Sequence, residues 1–175
     1  MAIDQSKPFT PINIAVLTIS DTRSEPDDKS GNVLVERIKE AGHHLIDRAI
    51  VRDETEAITL KLRAWIADSE VDCVIATGGT GLTERDVTPE AFLSVYEKEI
   101  KGFGELFRNL SYEKIGTSAI QSRATGGIAN GTFLFTLPGS PGACMDGWDG
   151  ILRFQLDGRF RPCNFVELMP RLKKR

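Results

Sequence analysis

Val71-Asp72-Cys73-Val74-Ile75-Ala76-Thr77-Gly78-Gly79-Thr80-Gly81 runs directly into Leu82-Thr83-Glu84-Arg85-Asp86-Val87-Thr88-Pro89-Glu90. Residues 71–76 form a short apolar run rich in β-branched side chains, which predicts a buried strand. Gly78, Gly79 and Gly81 then leave the backbone bare, free to take positive φ, to approach a ligand closely and to turn its N–H groups toward an anion. Thr88-Pro89-Glu90 predicts a helix start, with Thr88 as N-cap, Pro89 at the first position and an acid in the first turn. Strand, glycine loop and helix start together make the phosphate-handling geometry of open α/β sheets. Arg85 and Asp86 lie where a bound polyphosphate would end. Gly-Gly-Thr-Gly is equally compatible with a plain tight turn. It is not the dinucleotide fingerprint, and it lacks the Gly-Lys-Ser/Thr ending of a P-loop.

Working outward, the 175 residues predict one domain. A hydrophobic share of 41% fits a globular chain, and a net charge of -3 argues against a nucleic-acid or anionic-membrane surface. No apolar run reaches the length of a membrane span, and the N-terminus has no apolar secretory core. Cys73, Cys144 and Cys163 are odd in number and widely spaced, so neither disulfides nor zinc are expected, in keeping with a reducing cytoplasm. Cys73 reads as a small buried hydrophobe.

Residues 1–11 read as a flexible, poorly ordered arm, and 12–175 as the single domain. Ile12 to Ile19 is nearly all apolar, as in a strand covered on both faces, and it runs into Ser20-Asp21 at the edge where open sheets place ligands. Residues 24–30 read as an exposed loop. A helix follows from Ser30 with Gly42 at its end, then His43-His44 as linker residues rather than metal ligands. Leu45 to Val51 reads as an exposed or edge strand. Asp53 reads as the N-cap of the helix bearing Ile58, Leu62 and Trp65. The β-α-β-α-β order with short loops predicts a doubly wound sheet. Beyond the first helix after Thr88, residues 100–104 read as a break and Glu105–Tyr112 as another helix. Ser118, Ser122 and Arg123, in the unperiodic stretch 116–123, are either ligand contacts or turn residues. Asn130-Gly131 predicts an antiparallel hairpin. Pro138-Gly139-Ser140-Pro141-Gly142 is a second rigid loop, followed by a helix to about Leu156. In the basic tail, Phe160, Phe165, Val166 and Leu168 are docking candidates, and Lys173-Lys174-Arg175 reads as a solvated end.

Thr-Ile-Ser-Asp (18–21), Thr-Gly-Gly-Thr-Gly (77–81), Arg-Asp-Val-Thr-Pro-Glu (85–90), Gly-Phe-Gly-Glu (102–105), Ser-Arg (122–123) and Leu-Pro-Gly-Ser (137–140), in this order, resemble the MogA/MoaB family of molybdenum cofactor biosynthesis proteins. Gly-Leu-Thr-Glu-Arg-Asp, Ile-Gly-Thr-Ser-Ala-Ile-Gln-Ser-Arg and the late Arg-Pro-Cys-Asn-Phe (161–165) resemble its MoaB branch. The resemblance covers residues from about 12 to 175. It implies a three-layer α/β/α fold and self-assembly into a trimer or a hexamer built from trimers. It also implies molybdopterin binding and adenylylation of molybdopterin by Mg-ATP, a place among the other enzymes of that pathway, and no nucleic-acid or membrane partner.

By the same resemblance, Asp53 and Asp86 are the functional acids, and they are the expected magnesium ligands. Ser20, Asp21, Gly78, Gly79, Thr80, Gly81, Arg85, Ser118, Ser122, Pro138, Gly139 and Ser140 are the expected substrate and nucleotide contacts. Phosphoryl-type transfer needs positioning and charge neutralisation more than covalent help, which suits two carboxylates and a bare-backbone loop. A molybdopterin carrier without turnover, or a different pterin- or nucleotide-processing enzyme on this fold, would keep the same acids and loops.

Overall fold

A computed structural model describes residues 2–172. In chain order the strands are β1 (Ala2–Ile3), β2 (Asn13–Ile19), β3 (His44–Val51), β4 (Cys73–Thr77), β5 (Lys98–Glu99), β6 (Gly126–Ala129), β7 (Thr132–Leu137) and β8 (Phe160–Arg161). The helices are α1 (Lys29–Glu40), α2 (Thr55–Ala67), α3 (Thr88–Leu93), α4 (Lys101–Ile115), α5 (Pro141–Gly147) and α6 (Arg153–Gln155). Six strands make one sheet in the order β3-β2-β4-β7-β6-β5. The first four are parallel, and β6 and β5 join antiparallel. The chain therefore leaves β2 for β3 on one side and returns to β4 on the other. That reversal puts a crevice between the carboxyl ends of β2 and β4, the usual ligand position in such sheets.

The apolar runs of β2, β4 and β7 are split by the two-residue strand period. Ile14, Val16, Cys73, Ile75, Phe133 and Phe135 face a core built with Leu34, Ile38, Phe107, Cys144, Trp148 and Leu152. Ala15, Leu17, Ile19, Val74, Ala76 and Leu134 face a second core with Ile58, Leu62, Trp65 and Phe92. Helices thus cover both faces, as expected for three layers. The predicted hairpin is present: Asn130 (φ 45) and Gly131 (φ 80) both take positive φ between β6 and β7, as a tight type I′ connection requires.

Several local expectations differ. Ala2–Ile3 of the arm pair with β8, and Phe9 lies against the His43 ring and under the Arg159 guanidinium. Residues 101–115 form one helix through both Gly102 and Gly104, because α4 passes Ala124 so closely that a Cβ on Gly104 would sit 2.5 Å from its carbonyl oxygen. The expected helix over 141–156 is interrupted by a π turn, Trp148–Leu152. Phe165 does not project outward but stacks on Phe133 at 4.8 Å, and Phe160 is buried. Lys173-Lys174-Arg175 lies outside the described residues.

The loop read as exposed hides the most consequential charge. Asp28 has no exposed surface. Its carboxylate accepts from the Thr18 hydroxyl at 2.6 Å, the Gly31 N–H at 2.9 Å and the Arg48 guanidinium at 2.9 Å, tying β2, α1 and β3 together. Burial pushes this carboxyl upward, but those three donors outweigh it and hold the group below its ordinary value. Asp28→Ala removes three hydrogen bonds at a fully buried carboxylate and leaves half-buried Arg48 without its closest partner, with only the exposed Glu25 at 3.8 Å. The expected loss is about 3–5 kcal/mol of unfolding free energy, read as a lowered urea midpoint at unchanged slope.

His43, read as a linker, is also buried, with Nδ1 accepting from the Ile12 N–H at 3.3 Å. Burial lowers its pKa from 6.5 to about 4, against a smaller upward pull from Asp157. The unfolded chain therefore binds more protons than the folded chain between those values. The stabilisation from His43 is complete above pH 6.5 and is lost as pH falls through about 4, for a total on the order of 3 kcal/mol. Chemical denaturation from pH 7 to 4 should show this slope, and His43→Gln should flatten it. An equally steep His43→Gln variant would place the linkage elsewhere.

Candidate functional site

The carboxyl ends of the four parallel strands carry four loops into one region. Ser20-Asp21 follows β2, Asp53 follows β3, Gly78–Asp86 follows β4 and Pro138–Ser140 follows β7. Their approach depends on absent side chains. Gly78 has φ +107, and a Cβ there would lie 2.1 Å from the Ile19 carbonyl oxygen. Its N–H donates to the Leu137 carbonyl at 3.1 Å, and Gly139 packs a Cβ-width from its Cα. Gly79 (φ +60) would drive a Cβ into Thr88 Oγ1 and Asp53, and Gly81 would drive one into Asp86. The bare backbone is thus already used for close approach within the chain. A bulky side chain at Gly79 would disturb the fold as well as any ligand.

The acids differ in how they are held. Asp86 Oδ2 accepts from the Thr83 hydroxyl at 2.6 Å and the Thr83 N–H at 2.9 Å. The Thr83 hydroxyl is the main cause of its lowered pKa, against a smaller effect of burial. Asp53 is not the N-cap expected of it. Glu54 holds that position without a side-chain bond, while Asp53 Oδ1 accepts weakly from the Val87 N–H at 3.5 Å. Burial raises the Asp53 pKa most, and the negative charges of Asp86 and Asp21 add to it. Asp21 in turn accepts from the Asp53 N–H at 3.2 Å and pairs with Arg85. Thr88 is not the cap either: Val87 is, which places Thr88 one residue inside the helix.

A cavity of about 500 Å³ opens beside these loops. Of the residues expected at the site, Thr80, Gly81, Asp86, Ser118, Ser122, Pro138, Gly139 and Ser140 line it. Ser20, Asp21, Asp53, Gly78, Gly79 and Arg85 do not; they form the crevice floor and its neighbouring pair. Ser20 Oγ accepts from the N–H groups of Thr22 and Arg23, which is a turn role. Ser140 caps α5 by accepting from the Ala143 N–H at 3.2 Å, so the start of that helix faces the cavity. Bare N–H groups at such a start favour an anion.

Arg123, read as a ligand contact or a turn residue, is the clamp of the β4 loop. Its Nε donates to the Gly81 carbonyl at 2.7 Å, a terminal nitrogen donates to the Asp86 carbonyl, and it pairs with Glu90. Arg23 and Ser30 both donate to the Gly139 carbonyl at 2.9 Å, fixing the second loop. Lys114 and Asp146 form an ion pair in the cavity wall. Nothing in the sequence pattern pairs residues that lie so far apart.

Among the described residues no three His, Cys, Asp or Glu side chains converge as a metal cage. The donor set nevertheless suits magnesium, which takes one or two carboxylates and completes its shell with phosphate and water oxygens. Asp53, crowded by two other carboxylates, is the acid whose charge a cation would relieve most.

Residues 15–158 match the family described as a probable molybdopterin binding domain. The chain is 52% identical over 169 residues to molybdenum cofactor biosynthesis protein B of Escherichia coli (strain K12), covering 97% of this chain and 98% of that one. It is 44% identical over 146 residues to the protein B of Bacillus subtilis (strain 168), covering 82% and 86%. A crystal structure of a molybdenum cofactor biosynthesis protein B superposes with a TM-score of 0.86 at 40% identity, over 95% of this chain and 98% of that one. The tungsten cofactor synthesizing protein MoaB from Pyrococcus furiosus superposes at 0.72 and 37% identity, over 81% and 91%. The chain belongs to the molybdopterin-binding family of molybdenum cofactor biosynthesis proteins, in its MoaB branch.

Proposed function

We propose that the chain binds molybdopterin in the 500 Å³ cavity and joins it to the adenylyl group of Mg-ATP, with release of pyrophosphate. The observation that carries this reading is the convergence of Asp53, Asp86 and two glycine-bearing loops at the β2/β4 crevice beside that cavity. A phosphate oxygen of molybdopterin bonds to the α-phosphorus as the bond to the β-phosphate bridge breaks, and pyrophosphate leaves with that electron pair. A terminal phosphate is largely ionised near neutral pH, so no strong base is needed. Arg123 holds the Gly81–Asp86 loop in place, while the start of α5 and the bare loop backbone receive phosphate oxygens. Asp53 and Asp86 would hold magnesium, which supplies charge neutralisation on the polyphosphate when bound. Arg85, paired with Asp21 at the rim, is the free-reaching cation that can exchange a carboxylate for a phosphate.

Pyrophosphate release from ATP and molybdopterin should be detectable in the wild type and should fall by on the order of a hundredfold in Asp53→Asn and in Asp86→Asn, since charges at such sites contribute several kcal/mol. Molybdopterin affinity should change much less. An active wild type with an equally active Asp53→Asn overturns the assignment of the acids. A wild type that binds molybdopterin and releases no pyrophosphate is a carrier.

We also propose self-association, but not through Phe160, which is buried, or Phe165, which is half-buried and stacked on Phe133. Support comes from the exposed apolar side chains of α4 and the turn after it: Leu106, Tyr112, Ile115 and Ile120, the last 83% exposed. A stable pairing needs roughly 800 Å² per partner. Sedimentation velocity at micromolar concentration should show an oligomer that Ile120→Asp weakens. A wild-type monomer rules the assembly out.

A further inference from the structure

The cavity is a cleft between α4 and α5. Phe107, Ser111 and Lys114 recur at helical spacing along one wall, and Ala143 and Asp146 along the other. Its two ends differ in chemistry. At one end lie the β4 loop with Asp86 and the second loop with Ser140. At the other, Lys114 and Asp146 pair from helix to helix. Asp146 comes six residues after Ser140, which sets it about 9 Å along α5. Between the ends, Ile115 and Ala143 present apolar surface suited to a flat ring. The backbone of α5 is held firmly. Ser140 caps it, and Gly147 packs so tightly on Leu137 that a Cβ would lie 2.4 Å from a Leu137 methyl carbon. The ion pair is looser. The Lys114 side chain is 63% exposed, and a pair so open to water contributes little and exchanges readily. The Asp146 side chain keeps 21% of its surface and lines the cleft, so its carboxylate is open to a ligand.

We propose that Asp146 reads the pterin: its carboxylate leaves Lys114 and accepts both the amine N–H and the neighbouring ring N–H of the 2-amino-4-oxo pyrimidine edge. The inference rests on molybdopterin binding in this cavity, as proposed above, and adds which way round the ligand lies. With its phosphate among the loops, the fused rings extend along α5 and their pyrimidine edge arrives at Asp146. Two parallel N–H donors on one carboxylate make a forked, charge-assisted arrangement that is both strong and selective. Adenine offers an amine beside a bare ring nitrogen, whose lone pair a carboxylate repels. Asp146 is thus a specificity residue that keeps the nucleotide out of the pterin's place, and it takes no part in the transfer itself.

The test titrates two fluorescent probes, 6-hydroxymethylpterin phosphate and 6-hydroxymethyllumazine phosphate, into the full chain. The second carries an oxygen in place of the 2-amine. Wild type should bind the amino ring about tenfold more tightly, since the other ring leaves a hydrogen bond to a charged group unmade. Asp146→Asn should remove most of that preference and weaken molybdopterin binding about tenfold. Lys114→Met breaks the same ion pair from the other side and should leave the preference within about twofold of wild type. Equal binding of the two rings by wild type overturns the proposal. So does a preference that survives Asp146→Asn, or one that vanishes equally in Lys114→Met. A wild type that binds neither molybdopterin nor the amino probe overturns this inference together with the binding proposed above. A wild type that binds molybdopterin and releases pyrophosphate without preferring either ring overturns only this inference. A preference carried by Asp146 without pyrophosphate release supports this inference and overturns only the transfer.

Discussion

Gly78 against the Ile19 carbonyl is the contact on which the rest of the molecule turns. The sheet reverses its winding between β2 and β4, and the two strands end side by side. Only a residue without Cβ lets the chain leaving β4 cross the end of β2 at that distance. The same point receives the end of β7, through the Gly78 N–H and the close approach of Gly139. Three strand ends thus meet through backbone alone. Asp21, the Gly78–Asp86 loop and Pro138–Ser140 leave this knot directly, so their placement inherits its rigidity, while Asp53 reaches the same crevice from the end of β3.

Around that knot the charges are arranged in alternation. Asp21, Asp53 and Asp86 gather on the crevice side, and their mutual repulsion is felt most by the most buried of them, Asp53. Arg85 and Arg123 offset part of it, one through a carboxylate at the rim and the other through backbone carbonyls. Arg23 sits on the opposite loop, holding the Gly139 carbonyl. The carboxylates thus gather on the crevice side, and the bare backbone N–H groups lie along the loops.

Much of the fold was legible because its signals are local. The alternation hidden in the apolar runs of β2, β4 and β7, the Asn130-Gly131 turn and the edge character of β3 need only neighbouring residues to be read. So did the glycine loop after β4. What escaped was set by distant partners. Asp28 looked like loop polarity because Arg48 lies twenty residues on, and His43 looked like a linker because Phe9 and Trp148 close over it. Gly102 and Gly104 read as helix breakers, yet α4 runs through both, and the Ala124 carbonyl is what requires a small residue at Gly104. Asp53 and Thr88 were both read as caps, since a short polar side chain before a helix usually is one. For Asp28, His43, Gly104 and Asp53 a tertiary contact claimed a group that local rules had already assigned.

The edge position of β3 has a consequence for solubility. One side of this eight-residue strand is paired with β2, and the other has no strand beside it in the six-stranded sheet. Such a row of free backbone groups invites pairing with a stranger's strand, and charged side chains on the strand are the common safeguard. Here Asp47 and Arg48 occupy its middle, held by Lys61 and by Asp28. The ion pair that stitches α1 to the sheet therefore also guards the open edge. While α1 is undocked during folding, Arg48 lacks its anchor and β3 is at its stickiest, so this edge is where aggregation of a partly folded chain would begin.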